Sequence, residues 1–137
     1  MQTFLPYSDF VKSAKCLDYK RLGKQRVECK QILIALEARK QNIKRGWVNH
    51  PVVLQWESYE AALKEYMNVC IQEWIERGYN NTMAINEVES VIYPSWLGDD
   101  NFHASHRSNL LRKKFDYYKQ FGWTESIDLE YVWPTKS

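Results

Sequence analysis

Residues 17–41 read LDYKRLGKQRVECKQILIALEARKQ, and the fold turns on how this stretch is read. Its length and apolar spacing are those of a helix. At 100° per residue, Leu22, Cys29, Ile32, Leu33 and Leu36 fall in one arc, the stripe by which a helix faces a core. Arg21, Gln25 and Glu28 sit at the edge of that arc rather than on the far side. Polar groups taken partly out of water need partners or a task, because an unpaired one costs about 1–3 kcal/mol and a charge costs more. Lys20, Lys24, Arg26 and Lys30 lie around them, so the helix carries a cationic surface. Two readings fit: a structural helix whose border residues form ion pairs, and a functional site.

A chain of 137 residues is expected to form one domain over 1–137 with a real hydrophobic core. Its 45% hydrophobic and 26% charged residues exclude a disordered chain. Six Trp and nine Tyr are enough to pack a core and leave rings for stacking on bases or sugars. Cys16, Cys29 and Cys70 lack metal-type spacing and read as reduced core residues of a cytoplasmic protein. No secretory leader or membrane-length apolar run is present, so no membrane partner is expected. The net charge of +2 hides a division. Residues 12–45 hold eleven Lys/Arg against three acids, whereas residues 46–98 hold two against seven. A polyanion such as DNA or RNA suits the basic part, and a solvated basic face is the bland alternative.

Outward from the basic helix, Ser8 is placed to cap a brief helix ending near Cys16, and Asp18 to cap the helix over 17–41. Gly23 inside that helix costs about 1 kcal/mol relative to Ala, which points to close approach of a neighbour or a short irregularity. Residues 42–51 read as a loop, with Asn49 or His50 as cap and Pro51 in the first turn of a third helix running to Arg77, where Gly78 stops it. Val52, Trp56, Tyr59, Leu63, Tyr66, Met67, Cys70 and Trp74 form its core stripe. Residues 82–92 have room for one short helix, and 93–98 form a turn. Asp99 or Asp100 caps a fourth helix over 101–114. Residues 115–123 make a short aromatic helix or turn, and 124–137 an extended tail packed on the body. The class is all-α: a compact bundle of three to four main helices with an irregular C-terminal tail.

Two constellations carry chemistry. In the first, Glu28 stands among Arg21, Lys24 and Arg26 beside Gln25; one carboxylate among cations suits an anionic base or an electrostatic stabiliser. The second is His103-Ala-Ser-His106-Arg107, where two histidines three apart share a face and His50 is available as a third metal ligand. Capping, phosphate contact and core hydrogen bonding are the alternatives there. Arg107, Arg112, Lys113 and Lys114 favour phosphate. No Gly-rich phosphate loop, Cys/His nucleophile pattern or Gly-x-Ser-x-Gly elbow occurs.

MQTFLP at 1–6, LDYKRLGKQRVE at 17–28, GWVNHP at 46–51, WLG at 96–98, HASHR at 103–107, NLLRK at 109–113 and YYKQFGW at 117–123 are the islands by which the chain resembles a known family. It resembles the phage endonuclease V family of pyrimidine-dimer DNA glycosylases, and more closely a small bacterial and phage branch of it. The resemblance implies a compact all-α fold without metal or cofactor. It also implies an N-terminal α-amine that attacks the sugar C1′ of a damaged nucleotide, releases the base, forms an imine and cuts the strand by β-elimination. A glutamate on the counterpart of the 17–41 helix assists, and arginines there hold phosphates of bent DNA. Arg26-Val27 matches the family's Arg-Val pair, Arg21 fills the place of its other arginine, and Tyr117, Tyr118 and Gly122 fit its C-terminal aromatic segment. Two positions depart. Residue 2 is Gln, too bulky for ordinary removal of the initiator, so the free amine belongs to Met1. Gly23 stands where the family's glutamate aligns, and Glu28 is the carboxylate over a turn further along.

The expected function is therefore excision of a damaged or modified pyrimidine from DNA by a monomer, with or without lyase activity. Met1, Arg21, Gln25, Glu28, His103 and His106 are the expected catalytic set. Lys20, Lys24, Arg26, Lys30, Asn49, His50, Arg107, Arg112, Lys113, Tyr117, Tyr118 and Trp123 are the expected DNA contacts. A non-catalytic nucleic-acid-binding protein using the same basic face, and a metal-dependent hydrolase built on His50, His103 and His106, are the alternatives.

Overall fold

A computed structural model describes residues 1–44 and 46–134, which are helical with extended connections. Arg45 of the expected loop and residues 135–137 of the expected tail lie outside the described residues. The helices are α1 (Phe10–Cys16), α2 (Tyr19–Lys40), α3 (Pro51–Trp56), α4 (Glu60–Glu76), α5 (Asp100–Lys113) and α6 (Phe115–Tyr118), followed by a 3₁₀ turn at Lys119–Phe121. Among the described residues there is no strand, and no helix is long and apolar enough to cross a membrane.

The arc on α2 packs chiefly against α4, burying Leu22, Cys29, Ile32 and Leu36, while Leu33 is half-buried. Gln25 lies not at the edge of this arc but inside it, 1% exposed. Gly23 is explained by the same contact: a Cβ there would meet the Trp74 ring of α4 at 3.0 Å. On that ring the Arg26 guanidinium lies 4.2 Å from the centroid. The three cysteines are free and buried.

Four expectations are corrected. The helix over 51–77 is two helices, because Ser58 takes a left-handed φ of 75°. No Gly or Pro marks the break. It frees α3 to turn Trp56 toward the N-terminus, where its Nε1 donates to Thr3 Oγ1 at 3.0 Å, and frees Glu57 to accept from Arg39 Nε at 2.6 Å. Residues 82–92 form no helix. There the Asn68 amide accepts from Asn86 N–H at 2.8 Å and donates to Asn86 O at 2.9 Å, giving the backbone a side-chain partner instead of its own next turn. Asp9, not Ser8, caps α1, accepting from Lys12 N–H at 3.0 Å. Asp18 holds the cap position of α2 without capping it, since its carboxylate accepts from the Tyr118 hydroxyl and from Arg21 at 3.1 Å. Burial alone would raise the Asp18 pKa, but those two donors outweigh it and hold it low. Asp99 caps α5 as expected, accepting from Phe102 N–H at 3.1 Å.

Residues 1–6 run as an extended thread through the interior, with Gln2, Thr3, Phe4 and Leu5 all buried. Two histidines of α5 hold it. His103 Nδ1 donates to Leu5 O at 2.7 Å while its Nε2 accepts from Gly98 N–H at 2.9 Å, and His106 Nδ1 accepts from Leu5 N–H at 3.0 Å. These roles require neutral rings. Burial, then the neighbouring His103 ring and the charge of Arg107, pull the His106 pKa down from 6.5 to about 3, and burial lowers that of His103. The unfolded chain takes these protons near pH 6.5 while the folded state refuses them. Stability present above that pH is therefore lost as acid is added. Chemical denaturation should show unfolding free energy declining between about pH 6.5 and 3, by up to about 1.4 kcal/mol per pH unit from His106, with His103 adding in the same direction. His106→Gln should be less stable near neutrality with a shallower decline. An unchanged slope would remove His106 as its source.

Candidate active site

A cleft of about 520 Å³ opens where the N-terminal thread crosses α2. Met1, Gln2 and Phe4 line one side, and Lys20, Arg21, Lys24, Gln25 and Glu28 of α2 the other. Lys113 at the end of α5 and Tyr131 of the tail close its rim. The tail reaches this position because α5 hydroxyls and amides hold its backbone. Ser105 Oγ accepts from Val132 N–H at 3.1 Å, Ser108 Oγ from Leu129 N–H at 3.0 Å, and Asn109 Nδ2 donates to Leu129 O at 3.1 Å.

At the floor, the Gln25 amide joins every wall. Its Nε2 donates to Gln2 O at 2.7 Å and to Glu28 Oε2 at 3.1 Å. Its Oε1 accepts from Phe4 N–H at 2.8 Å and lies 2.8 Å from the Tyr66 hydroxyl, which is also 2.6 Å from Phe4 O. Gln2 N–H donates to the same Glu28 Oε2 at 3.3 Å. One carboxylate is thus fixed against the start of the chain. Among the described residues Glu28 Oε1 has no hydrogen-bond partner, and Glu28 is half-buried in the cleft wall.

His50 caps α3 with Nδ1, which accepts from Val52 N–H at 3.0 Å, so its neutral ring carries the proton on Nε2. Its pKa is lowered, first by burial and then by the positive α-amine of Met1. A ladder of rings runs from His50 to Trp133 at 5.9 Å and on to Tyr131 at 5.5 Å, tying that imidazole to the rim. The cleft thus gathers the first residue of the chain, one carboxylate and three lysines; in general a primary amine can form an imine with a sugar aldehyde, and a carboxylate nearby can stabilise the positive charge of that imine.

The sequence model for pyrimidine dimer DNA glycosylases matches residues 1–87, which hold the N-terminal thread, all of α2 and Glu28. The chain belongs to the pyrimidine dimer DNA glycosylase family. No curated protein and no solved structure matches it.

In this DNA glycosylase, the sequence-predicted residues divide. Met1, Lys20, Arg21, Lys24, Gln25, Glu28 and Lys113 come together in the cleft. His103 and His106 do not. His106 is fully buried, and both histidines hydrogen-bond the Leu5 backbone. Arg107 donates to Pro6 O at 2.7 Å and pairs with Glu125 at 3.0 Å; Arg112 donates to Ile127 O at 2.7 Å and to Asn109. Tyr118 is buried against Asp18, and Trp123 stacks on it while donating to the Tyr7 hydroxyl at 2.9 Å. Tyr117 is half-buried edge-on to Tyr118. Arg26 is turned to Trp74 and to Asn81 Oδ1 at 2.8 Å, and Asn49 accepts from Arg39 at 3.0 Å. Lys30 faces a separate groove of about 430 Å³ between α2 and α4. Among the described residues no three His, Cys, Asp or Glu side chains are grouped to hold a metal, so the His50–His103–His106 arrangement does not form. Gln2, Phe4 and Tyr131 were missed as site residues. Their signals were a polar residue in an apolar N-terminus and a tail ring whose position depends on α5.

Gln25→Leu keeps the volume but leaves Phe4 N–H and Gln2 O buried without partners. It should lower unfolding free energy in urea by about 2–5 kcal/mol. A loss below about 1 kcal/mol would mean that the thread is held without this amide.

Proposed function

We propose that this glycosylase removes a damaged or modified pyrimidine from duplex DNA, with the N-terminal α-amine as nucleophile and Glu28 as its electrostatic partner. The observation that carries this reading is the contact of Glu28 Oε2 with the first peptide N–H of the chain, 3.3 Å away at Gln2. The amine attacks C1′, and the new C–N bond forms as the glycosidic bond breaks. That bond's electron pair leaves with the base, which takes up a proton. The sugar then opens to an imine, stabilised by the carboxylate beside it. Loss of a C2′ proton expels the 3′ phosphate, which is the lyase step. With Met1 retained, its amine lies one residue beyond Gln2; with Met1 removed, the amine would stand at Gln2 N itself.

Glu28, rather than position 23, suits the role for a geometric reason. Five residues along a helix rotate the side chain by about 140°, so the side of α2 that meets Trp74 at Gly23 is turned well away from the cleft. Lys20, Lys24, Arg21 and Lys113 are the phosphate contacts in this reading. We further propose that residues 1–137 act as one glycosylase domain, since α5 and the tail bring Lys113 and Tyr131 to the same cleft as the matched residues.

Borohydride trapping on UV-irradiated and abasic duplexes, with intact mass of the adduct, tests the mechanism. The expected outcome is a covalent adduct mapped to the N-terminal residue. Glu28→Gln should slow trapping by about 100-fold or more and leave DNA affinity little changed. Base release without an adduct would leave a monofunctional glycosylase, and neither product would reduce the cleft to a DNA-binding surface. Lys20→Ala, Lys24→Ala and Lys113→Ala should each reduce the slope of log affinity against log salt by about one.

A further inference from the structure

Trp47 is the most exposed tryptophan among the described residues whose exposure is given, at 51%, whereas Trp56 and Trp96 are buried. An indole is large and amphipathic, and leaving half of it in water forgoes burial that the other tryptophans of this chain obtain. Its surroundings are built rather than loose. Trp47 O accepts from His50 N–H at 3.0 Å to close a turn, and Arg39 Nη1 clamps that turn by donating to Val48 O and Asn49 Oδ1, both at 3.0 Å. The Trp47 ring stands 5.9 Å from the His50 ring, the first rung of the ladder that ends at Tyr131 on the cleft rim. A hollow of about 140 Å³ is lined by the indole together with Gln31, Ile34 and Ala35 of α2.

A strip of α2 connects the hollow to the cleft. Lys20, Lys24, Val27, Gln31 and Ile34 recur at helical spacing and are all exposed, with the cations at the cleft end and the apolar end beneath Trp47. From Lys24 to Gln31 the rise is about 10 Å, close to three base steps of a DNA strand at about 3.4 Å each. Cations that track phosphate, ending at a flat ring above an apolar floor, match a nucleotide strand in both charge and shape.

We propose that Trp47 is a base-stacking residue, holding the face of an unstacked base that flanks the reacting nucleotide in bound DNA. This rests on the reading of the cleft as the DNA site. The apolar hollow beside the indole gives the base room to leave the duplex stack, and the Arg39 clamp holds the turn that carries the ring before DNA arrives. Stacking on an aromatic face is sequence-tolerant, so Trp47 contributes affinity for distorted DNA and no preference among bases.

The test uses a duplex with one tetrahydrofuran abasic site, which cannot be cut, and 2-aminopurine placed at successive positions beside it. Wild-type protein should change the 2-aminopurine emission at one flanking position. Trp47→Leu, which keeps an apolar side chain without a ring, should abolish that change and weaken binding about tenfold. Its salt slope and thermal transition should stay as in wild type. Trp47→Phe should retain most of both signals. If Trp47→Leu binds as tightly as wild type and still perturbs 2-aminopurine, stacking is overturned while the cleft reading stands. A Trp47→Leu effect that Phe fails to rescue also overturns it, because a ring face is then not what matters. If the wild-type protein shows no salt-dependent binding to this duplex, the cleft reading falls and stacking falls with it.

Discussion

The Gln25 amide is the interaction on which the site depends. A glutamine in the interior of a helix interface is costly unless both of its donors and its acceptor oxygen find partners. Here both amide hydrogens are engaged, by Gln2 O and Glu28 Oε2, and Oε1 meets Phe4 N–H and the Tyr66 hydroxyl. The consequence is positional. The same amide that anchors the thread also anchors the carboxylate, so the start of the chain and Glu28 cannot drift apart without breaking a buried network. Preorganisation of this kind is what the nucleophile and charge partner proposed here would require, because misplacement by about 1 Å can cost 100-fold in rate.

That constraint alone would not hold six residues that have no secondary structure of their own. Backbone groups buried in an extended thread must be paired one by one, and in this protein side chains do it. The α5 histidines take both polar groups of Leu5, and Gln25 and Tyr66 take those of Phe4. The Thr3 hydroxyl accepts from Trp56, and Thr3 N–H donates to the Gln2 side chain at 2.9 Å. Four helices, α2, α3, α4 and α5, therefore converge on this thread. Their packing and the chemistry proposed for the amine are one problem, which is why polar residues are so frequent in the interior of this fold.

The sequence made α2 legible because apolar spacing is a property of the helix itself, and Leu22, Cys29, Ile32 and Leu36 are buried as their arc requires. The grouping of Glu28 with Lys20, Arg21, Lys24 and Gln25 was legible for the same reason: one helix carries all five. What depended on partners distant in the chain was not. The left-handed turn at Ser58 follows a tryptophan bonded to Thr3, and nothing local announces it. The Asn68 amide replaces a helix over residues 82–92 from outside that segment. His103 and His106 looked catalytic because their spacing puts two imidazoles on one face. That spacing serves equally to reach the N–H and the C=O of one residue, and only the position of Leu5, about 100 residues away, brings them to it. Gly23 and Gln25 were visible as anomalies, and each is resolved by a partner no periodicity could name: Trp74 for the first, the N-terminal thread for the second.

The basic surface also divides by chemistry. Each arginine among the described residues has an internal partner: Arg21 with Asp18, Arg26 with Asn81, Arg39 with Glu57, Arg77 with Glu73, Arg107 with Pro6 O, and Arg112 with Ile127 O. The planar fork of guanidinium is suited to such fixed, directional clamps on carboxylates and carbonyls. The charges left facing the cleft are mostly lysines, point charges on flexible stems that meet phosphate with little demand on geometry. Base edges are read most often by bidentate arginine, and here those forks are committed to the fold. Recognition of DNA by such a surface follows the backbone and the ease with which a duplex bends and unstacks, not its sequence. A lesion is a place where that deformation is already partly made. On the reading proposed here, lysines that grip phosphate loosely beside a fixed carboxylate would favour DNA that is already distorted.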